Sequence, residues 1–126
     1  SIERELLEQI CFFDGFPASA REQALDEGLI RQRETTRCPI TLDPLRFCDF
    51  ATEVMTPSHG RSRFQVGHLN PLKTVGRTTD AAGHTAQNIA WISAAGNRIQ
   101  GDLPLAEARS LVQHISNNYR LFLPRP

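Results

Sequence analysis

The sequence predicts an α+β fold, and three observations carry that prediction. Apolar residues recur at helical spacing near both ends of the chain. Two short apolar or alternating runs of strand length lie between them. Turn-forming residues separate these segments. The 126 residues are enough for a single domain, 1–126, which would bury roughly two-thirds of the surface its unfolded chain exposes. Apolar residues at 40% and charged residues at 22% suit a packed core and argue against disorder.

The elements follow in order. Ile2, Leu6, Ile10 and Phe13, with Leu7 and Cys11 beside them, predict a first helix that Asp14-Gly15-Phe16-Pro17 stops. A second helix is expected over Ser19 to Glu27, ended by Gly28, so residues 1–34 form an N-terminal helical segment. Thr35 to Phe47 reads as a small hairpin with its turn at Asp43-Pro44, within a segment 35–50. A polar loop with Pro57, His59 and Gly60 comes next. Arg63 to Leu69 alternates like a strand, with Phe64, Val66 and His68 on one face, and Asn70-Pro71 ends it. A loop rich in Thr, Gly and Ala reaches Gln87, and Asn88-Ile89-Ala90-Trp91-Ile92 reads as a second strand. Ser93 is suited to cap a short helix running through Asn97 to Gln100, with Gly101 as its stop. Asp102 is the expected cap of a last helix over 102–120, with Pro104 in its first turn and Ala108, Leu111, Val112, Ile115 and Tyr119 on one face.

Zero net charge hides an uneven distribution. Residues 1–53 hold eleven acids and six bases, a net −5, whereas residues 54–101 hold five bases and one acid, a net +4. Only the middle segment suits a polyanion. Thirteen of the fourteen bases are Arg, the side chain that binds phosphate in a planar, bidentate way; genomic composition would give the same bias. No run approaches the roughly 20 apolar residues of a membrane span, so no membrane partner is expected. Charges at Glu3, Arg4, Glu5 and Glu8 interrupt any signal-like run. Three cysteines, Cys11, Cys38 and Cys48, form no C-x-x-C pair, which disfavours a disulfide framework. A cytoplasmic, intracellular and bacterial setting is the expectation.

Three polar residues fall within the strand–loop–strand–helix unit: His68 near the end of the first strand, Asn88 opening the second, and Asn97 in the helix. They suit phosphodiester hydrolysis. A neutral imidazole can take the proton from an attacking water. A carboxamide oxygen is a hard ligand for a divalent cation that keeps most of its waters. Such a cation stabilises charge on the phosphate and the leaving oxygen. A second Asn at a strand start can pin the loop that carries the imidazole.

These segments resemble the HNH nucleases of the ββα-metal (His-Me finger) superfamily. Gly67-His68-Leu69-Asn70-Pro71-Leu72 is similar to that family's strand bearing the general-base His. Asn88 to Asp102 is similar to its central Asn, short strand and helix, with the last Asn nine residues on at Asn97. Gly101-Asp102-Leu103-Pro104-Leu105-Ala106-Glu107-Ala108 is similar to the helix start that follows there, so the likeness spans residues 63–108. It implies a ββα-metal unit over 63–101 flanked by N-terminal helices and a C-terminal helix. It also implies His68 as general base, Asn88 as the residue that fixes the loop and Asn97 as metal ligand, an H-N-N variant.

Two departures matter. Many relatives place a metal-binding acid just before the base, where this chain has Gly67. Many also hold the unit with zinc on two C-x-x-C pairs, whose counterparts here are Cys38/Thr41 and Ser93/Gly96. Four ligands are normally required, so no structural zinc is expected. The apolar residues Phe64, Val66, Ile89, Trp91 and Ile92 would stand in for it. The resemblance implies an endonuclease that uses Mg2+ or Mn2+ to hydrolyse double-stranded DNA to 5′-phosphate and 3′-hydroxyl ends. A type II restriction enzyme or its nuclease domain is the expected setting, and a homodimer would supply two sites for two strands. Arg63, Arg98, Lys73, Arg77 and His84 are candidates for DNA contact; Arg63 and Arg98 read equally well as surface charges, and His84 as a solvated loop residue. A homing or phage nuclease, or a non-catalytic DNA-binding module, fits the same residues.

Overall fold

The computed structural model describes residues 1–56, 63–70 and 85–123. Helices α1 (Ile2–Cys11), α2 (Ala18–Asp26) and α3 (Phe47–Met55) precede a two-stranded antiparallel sheet of β1 (Phe64–His68) and β2 (Ile89–Ser93). A 3-10 turn, Ala86–Asn88, leads into β2. Helices α4 (Ala94–Gln100) and α5 (Leu105–Phe122) follow. The fold is therefore α+β. Among the described residues no helix is long and apolar enough to cross a membrane.

Local chemistry explains most boundaries. The Ser1 hydroxyl caps α1 by accepting from the Arg4 amide, and Gly15 takes a left-handed φ of 83° just beyond it. Ser93 caps α4 by accepting from Gly96 N, and Gly101 ends that helix at φ 53°. The strand register pairs Phe64 with Ser93, Val66 with Trp91 and His68 with Ile89. Both faces of β2 are covered, since Ile89 and Ile92, which point to opposite faces, are both buried. The core joins Phe13, Cys38, Ile40, Leu45, Ile92 and Ala108. Phe13, Phe50, Phe64 and Trp91 stack around it with ring centroids 5.3–6.4 Å apart.

Four expectations need correction. The hairpin of 35–50 is shorter than its expected span, and its turn is earlier. Cys38 N donates to Asp43 O at 2.9 Å and Leu42 N to Cys38 O at 2.8 Å, so the chain reverses over Pro39 to Leu42, with Leu42 at φ 63°. Pro44 is instead on the returning arm, bridged to Arg37. Second, Phe47 begins a helix rather than ending a strand. Phe47, Phe50, Ala51 and Val54 have helical spacing, and the Phe47 ring packs edge-on against Phe16 at 5.0 Å. Third, Asp102 does not cap α5. Pro104 occupies the cap position, and the preceding residues are committed elsewhere: Leu103 N donates to Gln100 O at 2.9 Å and Leu105 N to Leu69 O at 3.0 Å. Fourth, Val66 is not core but 44% exposed, because the ring cluster ends at Phe64 and Trp91. The predicted apolar face of α5 is inward only at its start. Ala108 is fully buried, whereas Tyr119 is 61% exposed, because α5 meets α4 and the core near its start and its later turns extend past them.

Candidate functional site

The three residues singled out by spacing are distributed over β1, the 3-10 turn and α4. His68 is the last residue of β1, half-buried, in the final pair of the sheet with Ile89. The backbone just beyond it is held from three sides. Leu69 N donates to Asn88 O at 3.0 Å. The Asn88 side chain then grips Asn70 by both backbone groups: its Oδ1 accepts from Asn70 N at 2.8 Å and its Nδ2 donates to Asn70 O at 2.9 Å. Asn88 is 1% exposed, so these bonds are shielded from water. From α4, the buried Gln100 amide donates to Leu69 O at 3.0 Å, His68 O at 3.3 Å and Leu103 O at 3.2 Å. A carboxamide carries both a donor and an acceptor, which is what matching a peptide group at both ends requires.

Asn97 lies on the exposed side of α4, and its Nδ2 donates to Gln65 Oε1. Gln65 and Gly67 share a face of β1 by strand alternation. On that face an added Cβ at Gly67 would come 3.0 Å from Ile92 Cγ2, so Ile92 packs directly against the strand at Gly67. Among the described residues no group of three or more His, Cys, Asp or Glu side chains is gathered to hold a metal.

The positions expected to have lost zinc ligands converge. Ser93 Oγ donates to Cys38 Sγ at 3.3 Å, and an added Cβ at Gly96 would lie 2.5 Å from that sulfur. Burial pushes the Cys38 thiol up, but hydrogen bonds from the Ser93 and Thr41 side chains and backbones outweigh it, and its pKa is lowered. One thiol, two hydroxyl side chains and a glycine do not make a tetrahedral zinc donor set. Here the start of α4 is docked onto the 38–42 turn by a hydrogen-bonded Cys-Ser pair and by the space that Gly96 leaves.

The basic candidates divide. Arg63 N donates to the Glu53 carboxylate at 2.9 Å, and its guanidinium sits 3.5 Å from Asp49, which ties it to α3. Arg98 is exposed in the last turn of α4. Lys73, Arg77 and His84 lie outside the described residues, as does His59. Sequence reasoning assigned little to Gln100 and nothing to Gln9. Gln9 completes the free edge of β2: its Oε1 accepts from Trp91 N at 3.0 Å and its Nε2 donates to Ile89 O at 3.1 Å. A glutamine in an amphipathic helix carries no local sign of such a role.

No protein-family model matches the sequence, and no curated protein sequence does. Among solved structures, the chain is similar to one described as the crystal structure of a type II restriction endonuclease. The TM-score is 0.60 at 18% sequence identity, covering 94% of this chain and 49% of that one. The chain thus spans about half the length of that protein, and the likeness is one of fold. It places the α+β architecture within a frame that a restriction endonuclease uses.

Proposed function

We propose that this chain is a DNA endonuclease dependent on a divalent cation, an H-N-N member of the ββα-metal nucleases, in a type II restriction setting. The observation that carries the reading is the clamp beyond His68. A buried carboxamide, Asn88, holds both backbone groups of Asn70 just past the end of β1, while α4 sets Asn97 against Gln65 near the start of that strand. That arrangement holds the end of a strand in place so that one imidazole is presented in a defined direction, as a general base needs.

In this mechanism His68 removes a proton from a water as the water attacks phosphorus, and the 3′ oxygen departs on the opposite side. Asn88 is a positioning residue that acts through the backbone at Leu69 and Asn70. Asn97 would offer Mg2+ or Mn2+ one carboxamide oxygen, with waters and phosphate oxygens left to complete the shell. When bound, the ion would supply charge stabilisation at the phosphate and the leaving oxygen. Asn97 would hold it, and Arg98 on the same helix would face the DNA backbone. Cutting both strands calls for two such sites, which a homodimer provides.

The test is plasmid nicking in Mg2+ or Mn2+ against EDTA, with His68→Ala alongside. The expected result is metal-dependent nicking that His68→Ala lowers by 100-fold or more, on the order of a general base's contribution, with DNA binding retained. A variant that cuts at the wild-type rate overturns the assignment. A second reading, a DNA-binding module without catalysis, is favoured by Ile92 filling the space beside Gly67; salt-sensitive binding with no nicking in either metal would select it.

A further inference from the structure

We infer that the outer half of α5 is the contact surface between two copies of this chain. The inference rests on the nuclease reading above, which calls for two sites, and it names the face that joins them.

Ala108, Val112, Ile115, Tyr119 and Phe122 step along α5 by four and three residues in turn, the spacing of a seam that meets another helix. The fold uses only the beginning of that seam. Ala108 belongs to the core and Val112 packs against it. Exposure then rises to 45% at Ile115 and 77% at Phe122. Leu111 and Leu123 flank the seam and are exposed too. Ser116, Asn117 and Asn118 in the same turns are weak helix formers, and a helix in water draws most of its stability from packing its apolar face. A stripe that leaves the core at unbroken spacing, on turns with little helical preference of their own, calls for a covering partner.

Charge selects the partner. Residues 110–123 carry one formal charge, Arg120. Helical spacing turns Arg120 away from the seam, and its guanidinium donates to Asn117 Oδ1 at 3.1 Å. One cation on the far side gives DNA or an anionic lipid surface little to hold. A second copy has the opposite requirement. A two-fold contact sets one patch against the same patch, so like charges within it would repel, and an uncharged apolar seam avoids this. In an antiparallel crossing near Tyr119, Ile115 of each copy would face Phe122 of the other, a smaller side chain against a larger one. The open parts of Leu111, Ile115, Tyr119, Phe122 and Leu123 come to roughly 500 Å² per copy, or about 1,000 Å² across the pair, the lower bound of a specific interface.

The experiment is sedimentation velocity on the 126-residue chain from roughly 1 to 100 µM, where a small interface associates, with plasmid cleavage in Mg2+ alongside. The wild type is expected to sediment as a dimer at the upper concentrations. Phe122→Glu puts a charge into the seam at an exposed position, without touching the core, and is expected to remain a monomer throughout. Asn117→Glu puts the same charge on the opposite side of α5 and is expected to dimerise like wild type. Phe122→Glu should also keep metal-dependent nicking while losing direct conversion of supercoiled plasmid to the linear form. A wild type that stays monomeric at the highest concentration, with or without DNA, overturns the contact and gives the face to a different partner. So does a Phe122→Glu variant that dimerises like wild type, or an Asn117→Glu variant that dissociates as fully as Phe122→Glu. The two readings fail separately: a monomeric wild type that still nicks removes the contact and leaves the nuclease, whereas a dimer broken by Phe122→Glu that never nicks removes the nuclease and leaves the contact.

Discussion

The two halves of the site are anchored by the same functional group in opposite surroundings. At the end of β1, buried carboxamides from Asn88 and Gln100 bind backbone groups of residues 68–70. On α4, an exposed pair, Gln65 and Asn97, bind each other side chain to side chain. A buried amide matched to peptide groups cannot let go without leaving donors and acceptors dry, whereas an exposed pair exchanges its bond for water at little cost. The first arrangement holds a backbone in place; the second leaves its side chains able to change partners. Stability therefore belongs to one region and side-chain freedom to the other.

That comparison can be broken from the buried side first. Asn88→Ala removes the side-chain bonds to both Asn70 N and Asn70 O, and at roughly 1–3 kcal/mol per group it should cost about 2–6 kcal/mol. Urea unfolding reads this as a lower midpoint with an unchanged slope. A loss under 0.5 kcal/mol, about the size of a neutral surface change, would mean that the clamp holds nothing. Gly96→Ala should come next. Its added Cβ, at 2.5 Å from Cys38 Sγ, forces the turn and α4 apart at about 1–3 kcal/mol. A double variant with Cys38→Ala should recover part of that loss, and no recovery would place the clash elsewhere. The smallest effect is on pH. The Arg33 guanidinium bonded to Glu5 at 2.9 Å holds that carboxyl below its ordinary value of 4.5, against the opposing effect of burial. Because the folded value is depressed, the stabilisation is complete above 4.5 and is lost as pH falls through the folded value. Glu5→Gln should flatten the acid side of the stability profile without changing it at neutral pH beyond the modest worth of a part-exposed pair; a wild-type acid limb in that variant would remove the pair as its cause.

Local chemistry made α1 and α4 legible. The α1 periodicity and the stop at Asp14 to Pro17, and Ser93 with Gly101 around α4, are signals a few residues long. The 38–55 region was harder. Phe47, Phe50 and Val54 have helical spacing, yet they follow a β-prone run, and the parallel bridge between Asp14 and Arg46 that sets where α3 begins joins residues far apart in sequence. Asp102 resembles a cap by type, but Leu105 N goes to Leu69 O, a partner 36 positions away. His68, Asn88 and Asn97 stand out in the sequence as an ordered set; the bonds of Gln65, Gln9 and Gln100 do not, because the main partners of each lie across the fold.

Composition, periodicity and capping residues by themselves determine that this protein has helices at both ends around a short strand pair, since those signals act over one or two turns of chain. Tertiary structure alone decides which carboxamides become anchors. A glutamine's worth depends on which backbone groups are left unpaired beside it, and that follows from how β1, β2 and the helices meet.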